Sequence, residues 1–189
     1  ESELNELANE HYKQNVCQCI RQWHYTEANR NSIDMMLAVN GIPVVAIELK
    51  NQLTGQSVDD AMRQWEYNRN PKEYAFGFNK RVLAYFACDL YNIYMTTQLN
   101  GAETVFLPFN QGSNGAGKDG GAGNPTTEDG KYVTSYFWEN VLQKDKLLDI
   151  LQKFISYERS EKKKIMPDGS TKTTVSSKVI FPRYHQLDV

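Results

Sequence analysis

Residues 31–51, NSIDMMLAVNGIPVVAIELKN, decide how this chain is read. Two strand-like runs flank an Asn40-Gly41 turn, with Asp34 on the first run and Glu48 and Lys50 on the second. Side chains alternate faces along a strand, so Val45, Ile47 and Leu49 point one way and Ala46, Glu48 and Lys50 the other. On the first run Ile33, Met35, Leu37 and Val39 share a face opposite to that of Asp34, Met36 and Ala38. A two-residue Asn-Gly turn pairs Val39 with Ile42 and sends Asp34 away from Glu48. A three-residue loop, Asn40 to Ile42, pairs Val39 with Pro43 and sets Asp34 opposite Glu48. We favour this odd register because it joins the apolar residues into one surface as well. Pro43 at a strand start agrees with it, and a β-bulge achieves the same result.

Two acids and a lysine so placed suit phosphodiester chemistry. The substrate is anionic, and its attacking and leaving oxygens gain charge in the transition state. A hard cation on oxygen ligands offsets that charge and activates a water. Mg²⁺ keeps several waters, so Asp34 and Glu48 suffice, with the Leu49 carbonyl as a third ligand. Lys50 would orient the water and stabilise the phosphate. The plainer alternative is a hairpin with solvated charges at its end.

The length of 189 residues fits one domain, or one domain and a tail. No apolar run is long enough to cross a bilayer, and the N-terminus shows no signal-peptide pattern. Glu1 is not an initiator methionine, which suggests a piece of something longer. Cys17, Cys19 and Cys88 make no disulfide framework, and a reduced, cytoplasmic setting is expected. The net charge of −2 lacks the basic excess of a non-specific nucleic-acid binder. A local patch and a bound cation can still serve DNA.

Along the chain we expect a helix at 2–13, a strand at 16–26, the hairpin, and a helix opened by Ser57 with Asp60 at its third position. That helix should end near Asn70. Strands are expected at 82–88, 91–97 and 104–109, and a broken helix at 136–157. Residues 111–130 read as a long glycine-rich loop and 160–177 as a polar linker. On the helix after Lys50, Gln64 shares a face with Tyr67 and Asn68, suited to touching DNA backbone or placing Lys50. Gly112 to Lys118 imitates a phosphate-binding loop, but Asp119 stands where Ser or Thr belongs and no helix follows. The histidines and the Cys17-x-Cys19 pair lack zinc spacing.

Asn31-Ser-Ile-Asp34, Val39-Asn-Gly-Ile-Pro43 and Ala46-Ile-Glu48-Leu-Lys50-Asn51 resemble the N-terminal nuclease region of the restriction (R) subunit of type I restriction–modification enzymes. So do Arg21-Gln22 and the closing Phe181-Pro-Arg183-Tyr184-His185-Gln186, similar to the start of that subunit's helicase-like motor. The resemblance implies an α/β, restriction-endonuclease-like PD-(D/E)xK fold, a central mixed sheet flanked by helices. It implies Mg²⁺-dependent cleavage of double-stranded DNA, with Mn²⁺ able to substitute, after ATP-driven translocation by motor domains absent from this chain. Asp34 and Glu48 match the metal-binding acids and Lys50 the catalytic lysine. Gln186 matches a glutamine that reads adenine, in the full-length protein only. Ile33 replaces the motif's proline. The family's Gln-x-x-x-Tyr element is irregular here: Gln64 carries over, while Tyr67 falls one position early. Residues 1–159 are then the nuclease domain, and 160–189 the linker and start of the motor. The implied partners are double-stranded DNA and the modification and specificity subunits, with no membrane, in a bacterial or archaeal cytoplasm. The competing expectation is a non-catalytic DNA-binding or subunit-docking module of the same complex.

Overall fold

A computed structural model describes residues 5–127, 130–165 and 170–187. Helix α1 (Glu6–Lys13) precedes strands β1 (Cys17–His24), β2 (Ser32–Val39) and β3 (Ile42–Leu49). Helix α2 (Val58–Tyr67) leads to β4 (Ala84–Cys88), β5 (Ile93–Thr96) and β6 (Leu107–Pro108). The six strands form one mixed sheet in chain order, antiparallel except for the parallel pair β3–β4. A parallel pair needs a crossover, and α2 supplies it.

Asn40 and Gly41 both take left-handed backbone, with φ of 52° and 78°. That is the geometry of the two-residue hairpin turn that Asn-Gly favours. Val39 therefore pairs with Ile42, not with Pro43 as the three-residue loop required. The register then shifts: Ala38 pairs with Pro43 but Leu37 with Val45, which leaves Val44 as an extra residue. The bulge, not the turn, produces the register that apolar side chains and carboxylates both want. Asn40 also holds the residue just before β1, since its side-chain oxygen accepts from the Val16 N–H at 2.9 Å.

The sheet has a core on each face. One holds Val45, Ile47, Phe86, Met95 and Phe109 against Phe137, Ile150, Phe181, Tyr184 and Leu187. The other packs Ala46, Tyr85 and Ala87 against Val58, Ala61 and Trp65 of α2 and against Phe76. Ile33 joins this second core. It parts from Met35 and Leu37, with which alternation had grouped it, at the point where the β1–β2 ladder skips the Gln22–Asp34 pair and Gln22 takes left-handed backbone. Ser57 and Asp60 form the expected capping box. Val58, Ala61 and Trp65 recur at helical spacing, so one stripe of α2 is buried. The Trp65 indole N–H donates to the Phe86 carbonyl at 3.0 Å.

The broken helix is a short α3 (Lys144–Asp149) between wider π-type turns at Phe137–Val141 and Ile150–Phe154. It stops before Tyr157, because β7 (Ser156–Ile165) has begun. Of residues 160–177, expected as a polar linker, 160–165 and 171–177 lie in an antiparallel ribbon made by β7 and β8 (Thr171–Ile180), and 166–169 fall outside the described residues. The chain then returns to the first core through Phe181 and a short α4 (Tyr184–Leu187). Among the described residues no helix is long and apolar enough to cross a membrane.

Candidate metal centre

Beyond Met35 and Ile47 the two strands separate, and side chains replace the ladder. The Leu49 N–H donates to Asp34 Oδ2 at 2.8 Å. On the other side of β3 the Lys50 N–H donates to the Cys88 carbonyl, also at 2.8 Å. The end of β3 is thus pinned from both neighbours, with Asp34, Glu48 and Lys50 at one rim of the sheet. Asp34 Oδ1 accepts from Gln22 Nε2 at 3.1 Å, and Gln22 Oε1 accepts from Ser32 Oγ at 2.8 Å. Gln22 holds this bridge in left-handed backbone, φ 50°, a conformation unfavourable for a residue with a Cβ.

Glu48 has no exposed surface. Arg69, itself buried, grips its Oε1 with Nε at 2.9 Å and Nη2 at 2.6 Å. Nη2 also reaches the Ser32 carbonyl at 2.7 Å, which binds the start of β2 to the same group. Burial pushes the Glu48 carboxyl up to about 7. Arg69 pulls the other way and does not win, and the nearby charge of Asp34 adds to the push. Glu48 Oε2 is buried without a hydrogen-bond partner. A buried acceptor left unpaired is costly, and the Asp34 carboxylate beside Glu48 makes it harder still to ionise. A cation between the acids answers both conditions, so the donor set fits a divalent metal. Asp34, Glu48 Oε2 and the Leu49 carbonyl would hold it. Among the described residues no three or more His, Cys, Asp or Glu gather as a cage. The remaining positions would be water, as Mg²⁺ commonly keeps.

Lys50 Nζ donates to Gln64 Oε1 at 2.5 Å. Gln64 therefore lies beside the lysine, brought there by the start of α2. Asp89 fixes that start: its carboxylate accepts from the Val58 N–H at 2.9 Å and from Gln52 Nε2 at 3.0 Å. Tyr67 is at the end of α2, 68% exposed, turned to solvent. Gln186 lies on α4, where its Oε1 accepts from the Arg183 N–H at 2.8 Å. An open polar cleft of about 540 Å³, lined by Arg30, Asn31, Ser32, Gln64, Asn68 and Arg69, shares Gln64 and Arg69 with the cluster.

Sequence reasoning missed Arg69 and Asp89. A signal for Arg69 was present: continued along the helix, it falls four residues after Trp65, on the apolar side. A charge there is buried only with a partner.

No curated protein and no solved structure matches the chain. Residues 4–114 match the model of one family, described as the type I restriction enzyme R protein N terminus. They contain every strand of the central sheet, the two acids, Lys50, Gln64 and Arg69. This chain belongs to the family of type I restriction enzyme R protein N termini.

Proposed function

We propose that the chain is a Mg²⁺-dependent endonuclease domain of PD-(D/E)xK type, cutting double-stranded DNA. The observation that carries this is the convergence of Asp34, the orphaned Glu48 Oε2 and Lys50 at one end of β3. A divalent cation on the two acids would offset charge on the scissile phosphate and lower the pKa of a bound water. The protein's own share is positional. Gln22 and the Leu49 N–H hold Asp34 by one oxygen each. Arg69 holds Glu48 by Oε1 alone, so Oε2 stays available. Gln64 Oε1 accepts a hydrogen bond from one of the three Lys50 ammonium N–H groups and leaves two donors, one for the attacking water and one for the phosphate oxygen that gains charge. The polar cleft beside Gln64 suits the flanking DNA strand.

On this reading residues 1–159 are the nuclease domain and 160–189 the passage to an ATP-driven motor. Gln186 then serves nucleotide binding only in the full-length protein, and the modification and specificity subunits complete a cytoplasmic complex. One observation favours the competing reading, a DNA-binding or subunit-docking module without catalysis: the Arg69–Glu48 ion pair already neutralises one acid. The two readings separate in the complete enzyme. Lys50→Ala should abolish cleavage and keep ATP-driven translocation. Cleavage at the wild-type rate in that variant would remove Lys50 from the reaction and overturn the nuclease reading as stated.

A further inference from the structure

The β7–β8 ribbon is built against its own stability. All ten residues of β7 are exposed, and β8 is buried only near its end, at Val179. An isolated two-stranded ribbon is marginal in water. This one is anchored at its base, where Tyr157 packs on Phe78 and the Thr97 hydroxyl donates to the Val179 carbonyl at 2.8 Å. Toward its far end the charges oppose it. Lys164 pairs directly with Lys172 across the strands. Lys162, two residues before Lys164, shares their face. Like charges directly opposite destabilise a sheet. Among the described residues no acid pairs with any of the three. The acids that do pair, Glu158 with Lys178 and Glu161 with Arg159, are spent nearer the base. A chain of net charge −2 thus concentrates unbalanced positive charge on one strip.

The two faces differ. The Lys162 face also carries the hydroxyls of Ser160, Ser176 and Thr174. The other carries Tyr157, Ile165 and Val175, all about half exposed or more. Hydroxyls and ammonium groups on one strip are the donors that phosphate oxygens take. A ten-residue strand spans roughly 33 Å, close to one turn of duplex. The major groove admits a two-stranded ribbon.

We propose that the β7–β8 ribbon is a DNA-binding arm that lays Lys162, Lys164 and Lys172 on the phosphates of a duplex. It rests on the proposed function in taking that duplex to be the substrate, but it uses none of the metal-site residues. The DNA's charge removes the repulsion that the free ribbon bears.

The test is binding of a fluorescent 30-base-pair duplex to the full chain in EDTA, so that nothing is cut, over a KCl series. Each phosphate contact adds about 0.9 to the slope of log K against log[salt]. Replacing Lys162, Lys164 and Lys172 together by Gln should make the slope shallower by about two to three. Affinity at low salt should fall at least tenfold. Lys163→Gln, on the opposite face, should leave the slope unchanged. Lys172→Glu should weaken DNA binding yet raise the unfolding midpoint, because it turns a like-charge pair into an attractive one. A merely structural role moves both in the same direction. An unchanged slope in the triple variant overturns the proposal and points to an acidic protein partner. An equal loss with Lys163→Gln, or no duplex binding by the wild type, overturns it as well. Metal-dependent cutting with an unchanged triple-variant slope removes the arm and keeps the nuclease. The reverse result keeps the arm.

Discussion

At Glu48, removal from water outweighs what Arg69 returns, and the carboxyl holds its proton up to about pH 7. The stability consequence has a definite sign. Below the unfolded pKa of about 4.3 both states are protonated and the group costs nothing. As pH rises the unfolded chain ionises first, so the folded state loses ground until the folded pKa is passed. Above pH 7 the full cost applies, about 4 kcal/mol at 1.36 kcal/mol per unit. Urea unfolding in EDTA should therefore show the wild type losing stability relative to Glu48→Gln between pH 5 and pH 8, by up to that amount. A pH-independent difference would mean that Glu48 stays ionised throughout. Arg69→Met is the complement. At pH 8 it strands a buried carboxylate and should cost about 3 kcal/mol. At pH 5 it should cost clearly less, since the carboxyl is then neutral. Unfolding curves at the two pH values decide it.

The elements were legible where they carry periodic apolar signal. The β2 and β3 runs, the Ser57 cap and the Trp65 stripe all announce themselves in the sequence. The turn did too, but it had to share the register with a bulge at Val44, which no residue type marks. The β7–β8 ribbon was illegible for a related reason. A strand exposed on both faces has no hydrophobic alternation, and polar Ser, Lys and Thr read as linker. Arg69 did carry a signal, since it continues the Val58, Ala61 and Trp65 stripe, but a charge just past the end of α2 reads as a solvated helix end. The hairpin makes its own prediction. A Cβ at Gly41 would touch nothing within 4 Å, so Gly41→Ala costs only the left-handed backbone, about 1 kcal/mol of unfolding free energy. Metal uptake should survive, because the bulge downstream sets the acids. A variant that folds yet loses the metal would show that the turn, not Val44, controls the register.

Across the whole molecule, two cores clamp β3 from both faces, and its buried run Val44–Glu48 ends at the candidate centre. Rigid strands and pinned backbone hydrogen bonds hold the two acids there before any cation arrives. The family match covers this sheet and stops at residue 114, so the ribbon and α4 lie outside it. The most direct test of the account is calorimetric titration of Mn²⁺ into the wild type, Asp34→Ala and Glu48→Ala at pH 8. The account predicts one site in the wild type and none in either variant. Equal uptake by all three proteins would contradict it.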